Sequence, residues 1–466
     1  MMAAMAFKEV RMLLRDGRLW GLGLLTALLL GGVLALAAQQ RQGLERERLQ
    51  VETTARHQWD HQGERNPHRA AHFGLYAFQP KSALAGIAPG ITAQTGQALW
   101  LEPHKRNLAL FAPAADAAPS MGLGDLHPGF VLLALVPLLI AVLGHSSVTQ
   151  EREQGSLRML HACGVRGLPL VLGKWLGLCA GVALALAPAG LAAGWLLGDA
   201  PAAQTTALLL ALGIYYAIWA AVAVAVSAHC RSSRAALLVL LALWLAWVLA
   251  VPRLSASAVA RHAPLPTGAQ FWAGIQHDIE NGLPGDGTAA QRQQAFDAQL
   301  LADHAVRRLE DLPFGANARR RLFRDAYATQ VHARHFDQLW QAQRAQQRSL
   351  RWATAATPYA SMQAIASALA GTDLAHRQHF EDAAERYRQQ YTTFMDEWEM
   401  NTTRGVTSFE SRFGGNAQWQ AAPQWRYAPP DMGFALRHSA ADWGLLSAWL
   451  LLALAALGAS ARRLAP

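Results

Sequence analysis

Hydrophobic residues in this chain fall into blocks rather than into a regular alternation. Runs at 19–38, 128–144, 174–197, 205–228, 235–251 and 443–460 are dominated by Leu, Ala, Val and Gly and carry almost no charge. A helix crossing the hydrocarbon core of a bilayer needs about 20 apolar residues, because unpaired backbone donors and acceptors are not tolerated there. The six blocks therefore predict six spans. Pro137 and Pro188 fall inside the second and third and predict kinks. The first reads as a permanent helix rather than a cleaved signal peptide: its apolar core is long and leads into Gln39, Gln40 and Arg41, although Ala35-Leu36-Ala37-Ala38 has cleavage-site character.

The polar segments between the blocks are very unequal. Residues 1–18 place Lys8, Arg11, Arg15 and Arg18 at helical spacing, with Phe7, Val10, Leu13 and Leu14 on another side. This pattern fits an amphipathic helix in the membrane interface, or else an extension of the first span. Residues 39–127 and 253–440 are too long for simple connections. In the first, residues 45–59 read as a continuation of the preceding helix, residues 66–81 as a shaped loop packing on the larger segment, and residues 98–111 as one or two short strands. In the second, residues 289–312, 316–355, 361–370 and 374–400 are proline-free and rich in helix formers, with Asp373 placed to cap the last. The predicted fold is an all-α polytopic membrane protein with six transmembrane helices, an α-rich extracytoplasmic domain and minor β structure.

Basic residues of the short loops set the orientation, since long segments cross largely regardless of charge. Lys8, Arg11, Arg15 and Arg18, then Arg152, Arg158 and Arg166, then Arg231 and Arg234, then Arg462 and Arg463 all fall on one side when the spans alternate. The short loop at 198–204 on the other side has Asp199 and no Lys or Arg. Both termini and the 145–173 segment are therefore expected in the cytoplasm. Cys163, Cys179 and Cys230 all lie on or near that side, so no disulfide framework is expected outside. The net charge of +9 is accounted for by topology and anionic-lipid contact rather than by nucleic acid, because many of the cations flank spans.

Few constellations suggest chemistry. Gly167 to Trp175 superficially looks like a phosphate-binding loop, but it has one residue too many between its glycines, an apolar interior, and Trp175 where a magnesium-holding Ser or Thr belongs. No nucleotide is expected there, and Lys174 reads as a side chain reaching back to the inner interface. The pairs His57/His61 and His68/His72 have the i, i+4 spacing that can hold a metal. With no His-Glu-x-x-His pattern, no cysteine nearby, and Pro67 barring His68 from the interior of any helix begun earlier, a structural or hydrogen-bonding role is favoured and no metal is assigned. Ionisable residues away from span ends are nearly absent, which argues against an ion-coupled transporter. Gly173, Gly177, Gly181, Gly190 and Gly194 read as close helix contacts. No nucleophile, base and oxyanion set appears, so a non-catalytic subunit without a cofactor of its own is expected.

The segment joining the second and third spans, Thr149-Gln150-Glu151-Arg152-Glu153-Gln154-Gly155-Ser156-Leu157-Arg158-Met159-Leu160, is charged and helix-prone beyond what a simple turn requires. With Val165-Arg166 and Leu172-Gly173-Lys174 it resembles the coupling segment of the membrane subunits of type-2 ABC exporters, with Ser156 for the usual Thr and Met159 for one Leu. The chain is further similar to a bacterial branch of such permeases with two large external segments, through residues 66–80 and Leu369-Ala370-Gly371-Thr372-Asp373, His379-Phe380 and Ala384-Glu385-Arg386-Tyr387-Arg388. The resemblance implies a permease dimer, of like or unlike chains, in the inner membrane, driven by a separate ATPase subunit that binds ATP and Mg. It implies that residues 151–160 form one short helix in a groove of the ATPase, with Leu157 and Leu160 as apolar contacts, Glu151, Glu153 and Arg158 as polar ones, and Gly155 within the motif. The alternatives are an ABC-type force transmitter acting on an envelope partner, and an ATPase-independent sensor or scaffold.

Overall fold

The structure, a computed structural model, describes residues 1–107, 127–406 and 412–464. The described residues are predominantly helical, and among them six helices are long and apolar enough to cross a membrane. The molecule is thus an all-α, multi-pass membrane protein with one small hairpin.

Helix α1 (Met2–Arg15) ends at Asp16, and Gly17, in the left-handed region at φ 75°, turns the chain into α2 (Arg18–Asp60). Arg18 thus opens the first span rather than closing the interfacial helix, and it reaches Ser146 Oγ at 3.3 Å. The face of α1 turned inward carries Met5, Glu9 and Leu13, while Phe7 is exposed. Only Leu13 of the expected apolar side is buried, because α1 lies along a neighbouring helix rather than flat on lipid alone. Helix α2 continues unbroken past its apolar part and buries Trp59 far from the span.

A new helix, α3 (Pro67–Ala71), starts at Pro67, with Asn66 accepting from the amides of His68 and Arg69. Proline at the first position costs no hydrogen bond, because that amide would have no intrahelical partner. Strand β1 (Leu75–Phe78) then pairs antiparallel with β2 (Ala98–Leu101), Leu75 facing Leu101. The second expected strand, at 108–111, lies outside the described residues.

The second span, α4 (128–144), contains a widened π-turn at Val131–Leu135 just before Pro137. Proline removes an amide and crowds the carbonyl four residues earlier, and the wider turn relieves both. Neighbours pair the carbonyls of that turn: Tyr215 Oη donates to Leu133 O at 2.8 Å, Tyr216 Oη to Leu132 O at 3.1 Å, and Trp244 Nε1 to Ala134 O at 2.8 Å. The few polar side chains of the spans thus satisfy backbone groups.

After α4 come the short helices α5 (Thr149–Glu153) and α6 (Ser156–Ala162), then the spans α7 (Gly167–Leu196), α8 (Ala202–His229) and α9 (Ser233–His262). In α9 a second π-turn, Leu245–Ala250, precedes Pro252, and Thr357 Oγ1 donates to Trp247 O at 3.0 Å. The most apolar windows of α4 and α8 are 72% and 56% buried, against 17–28% for the other four spans, so these two form the centre of the bundle.

The large polar segment folds as α10 (Gly268–Asn281), α11 (Ala289–Asp303), α12 (Ala316–Ala353), α13 (Pro358–Ala370), α14 (Leu374–Thr402) and α15 (Asn416–Ala421), followed by the last span α16 (Met432–Arg463). Capping boxes Thr267/Gln270 and Thr288/Gln291 begin α10 and α11. Helix α11 stops at Asp303, short of the expected 312, and Ala305 takes a positive φ of 53° after it. Helix α13, read from sequence as part of the external domain, packs against α8 and α16. Its Met362, Ile365 and Leu369 join the apolar cluster of the spans.

Trp59, Ala70, Leu75, Leu99 and Leu101 of the first polar segment form one core with Phe380, Tyr387 and Tyr391 of α14 and with Trp419. The two polar segments are thus a single packed body, with Ala70, Leu75 and Ala77 rather than the aromatic residues of 66–81 in the shared core. Buried ion pairs reinforce it: Arg321 lies 2.9 Å from Asp396 and 2.6 Å from Glu399, and Arg388 lies 2.7 Å from Glu385.

Candidate functional site

The charged segment between α4 and α7 is two short helices, not the single one expected. Gly155, at φ 73° and exposed, occupies the left-handed region that ends α5, and α6 starts at the next residue. A residue with a Cβ is strained there, which is the physical role of this glycine. Glu153, Gln154, Arg158 and Met159 are exposed, and Met159 is 64% exposed. Leu157 and Leu160 are half-buried and pack against the cluster of the spans. The apolar side chain presented outward is therefore Met159. Leu157 and Leu160, the expected apolar contacts of a partner, are thus partly covered by the bundle.

Glu151 also departs from expectation. It is buried and tied inward, 2.8 Å from Lys8 Nζ and 2.9 Å from Lys174 Nζ, and it accepts a hydrogen bond from Ser156 Oγ. Lys174 is not turned to the surface: it is 1% exposed and lies 2.8 Å from Glu9 as well. Three glycines explain this burial. A Cβ at Gly173 would meet Met5 Cβ at 2.4 Å, one at Gly177 would meet Glu9 Cβ at 2.5 Å, and one at Gly181 would meet Leu13 at 2.8 Å. These residues form a groove on α7 into which α1 settles, bringing Glu9 over Lys174. Gly190 and Gly194 have no such neighbour within 4 Å.

The base of the segment is also wired to α8 and α9. Ser227 Oγ accepts from the amides of Val148 and Thr149 at 2.9 and 3.1 Å. Arg152 donates to the Ala228 carbonyl at 2.9 Å and to that of Cys230. Glu153 accepts from the amide and the hydroxyl of Ser233, both at 2.8 Å, at the start of α9. Glu9, Arg152 and Ser227 were missed in the sequence reading. Glu9 had one visible signal: a carboxylate among the cations of an otherwise basic helix. Arg11 and Arg15 are exposed on α1.

The histidine pairs separate. His57 and His61 stack at 4.2 Å at the exposed end of α2, with His61 Nδ1 2.8 Å from the His57 carbonyl. His68 and His72 bring their Nε2 atoms to 3.2 Å and are joined by His104, whose Nε2 is 3.2 Å from that of His68. Although His72 is exposed, partial loss of hydration first, then the neighbouring His68 and His104 rings, push its imidazole below its ordinary value. His104 has φ 70° in the turn after β2, and it lines a cleft of about 1070 Å³ with Trp100, Glu102, Trp272, Arg324 and Asp325.

Among known proteins, residues 268–428 match a family model described as a domain of unknown function (DUF3526). The match covers α10 to α15, part of the body outside the spans, and stops short of the charged segment. No curated protein matches the chain. The chain is thus a multi-pass membrane protein, with six candidate spans among the described residues and a region similar to DUF3526.

Proposed function

We propose that the chain is the permease subunit of an ATP-driven ABC-type exporter, working as a dimer in a bacterial inner membrane with both termini cytoplasmic, and that a separate ATPase grips the α5–α6 segment. The observation that carries this reading is the segment's two-sided construction. Its tip presents Gln154, Arg158 and Met159 to solvent, while its base is bonded to α1, α7, α8 and, through Glu153, α9. A polar rim around one apolar side chain suits docking in a partner's groove. Displacement of a segment so anchored is passed to four helices at once, and ATP does work on them if the ATPase binds the two arrangements with different affinity.

The test is the ATPase activity of the complex purified from native membranes. Met159→Asp and Arg158→Glu lie at the exposed tip and should leave the fold intact while lowering partner retention and coupled ATP hydrolysis at least tenfold. Full coupling in both variants, or complexes consistently lacking a nucleotide-binding subunit, refutes the assignment.

A second reading, force transmission to an envelope partner without solute passage, is favoured by α2. At about 1.5 Å per residue its 43 residues make an unbroken rod of about 65 Å from the span into the outer core at Trp59. Vesicle reconstitution separates the two, because a force transmitter hydrolyses ATP without moving cargo.

A further inference from the structure

We infer that His68, His72 and His104 form a binding site for a borderline d-block cation of the zinc class, independent of the proposed coupling to an ATPase. Sequence spacing paired His68 with His72, but only the fold brings in His104, from the turn after β2. The three ligand atoms lie within 4.8 Å of one another. Nitrogens around tetrahedral zinc, at about 2.0–2.1 Å from the metal, are separated by about 3.3 Å. The two Nε2 separations of 3.2 Å already match that spacing.

The proton inventory strengthens the argument. His104 Nδ1 lies 2.7 Å from Asp325 Oδ1 on α12, and a carboxylate only accepts, so that nitrogen carries a hydrogen. The Nε2 of a neutral His104 is then a bare lone pair. His68 Nδ1 faces Asp396 Oδ1 on α14 at 3.6 Å, an ion-pair separation beyond hydrogen-bond length. His68 Nε2 lies 3.2 Å from the Nε2 of both His104 and His72, at the centre of the trio. Three ring nitrogens converging at this spacing are arranged to share one cation. Imidazoles whose second nitrogen donates to a carboxylate are also the usual arrangement around protein-bound metals, because the carboxylate sets the tautomer and raises the basicity of the ligating atom. Asp396 is itself held by Arg321 at 2.9 Å, so this outer support is rigid. His104 faces the cleft that also contains Glu102 and Trp272, which gives a metal ion a route in and leaves room for a fourth ligand.

The experiment uses the full chain in detergent micelles, stripped by chelator and titrated with Zn²⁺ and with Co²⁺. The expected result is one equivalent per chain and the intense visible absorption of tetrahedral cobalt. His72 is exposed, so His72→Gln should fold normally and weaken binding at least tenfold. Asp325→Asn, which leaves all three ligands in place, should weaken it by about 10–100-fold. His57→Gln and His61→Gln should bind as the parent does. No uptake by the parent chain overturns the inference, since a shared proton would then be what sits between the rings. Uptake unaltered by both His72→Gln and His104→Gln overturns it equally.

Discussion

Replacing Lys174 by Met removes the positive centre of the buried cluster while keeping most of the side-chain volume. The ammonium lies 2.8 Å from Glu9 and 2.9 Å from Glu151, and both carboxylates are 4% exposed. At an effective dielectric of about 20 each contact is an attraction of roughly 6 kcal/mol, most of it offset by the cost of taking the charges out of water. The net worth of such a cluster is therefore small, but removing one partner strands charge, at about 3–5 kcal/mol. Glu151 would keep Lys8 and Ser156, so the stranded group is Glu9, and the expected loss is near the lower end, about 3 kcal/mol. Adding Glu9→Leu should restore most of it, because an apolar pair replaces a broken ionic one. Unfolding free energies from reversible denaturation in mixed micelles measure both, and protease cleavage within α1 reports its detachment. A Lys174→Met loss below about 1 kcal/mol, or a double variant no more stable than the single one, would show that the cluster does not anchor α1, and the argument from burial would fail.

Two further tests address the groove and the outer body. Gly177→Val should cost about 1–3 kcal/mol by forcing α1 off α7, since even its Cβ would lie 2.5 Å from Glu9 Cβ, whereas Gly194→Ala should be tolerated; equal melting temperatures for the two would reject the groove. On α12, burial holds His332 below its ordinary value, against its bond to the Ala328 carbonyl and together with the nearby Arg388; Glu385 pulls the other way and Arg106 adds to the lowering. The folded protein thus keeps His332 neutral while the unfolded chain takes a proton near pH 6.5, so stability is full above about 6.5 and falls as pH drops toward the folded value. Melting temperatures between pH 8 and 5 should show that decline, and His332→Gln should flatten it; an unchanged slope would assign the decline to other groups.

The chain's covalent order was enough to locate the spans and the helical character of the outer body. A bilayer admits no unpaired backbone, so about 20 apolar residues in a row have one solution, and a cap residue such as Asp373 acts on its immediate neighbours. The limits of that reading lie where distant elements meet. Lys174 looks like an interfacial lysine until α1 covers it, and only the approach of α1 along Gly173, Gly177 and Gly181 puts Glu9 within 2.8 Å. Leu157 and Met159 are equally apolar in sequence, and the side of α6 that rests on the bundle decides which is hidden. His104 is 36 residues from His68, and only the hairpin and α3 packing on α14 bring the rings together. Short-range hydrophobic and capping preferences act within a few residues and can be read along the chain, whereas ion pairing and ligand convergence depend on contacts made only when separate helices pack.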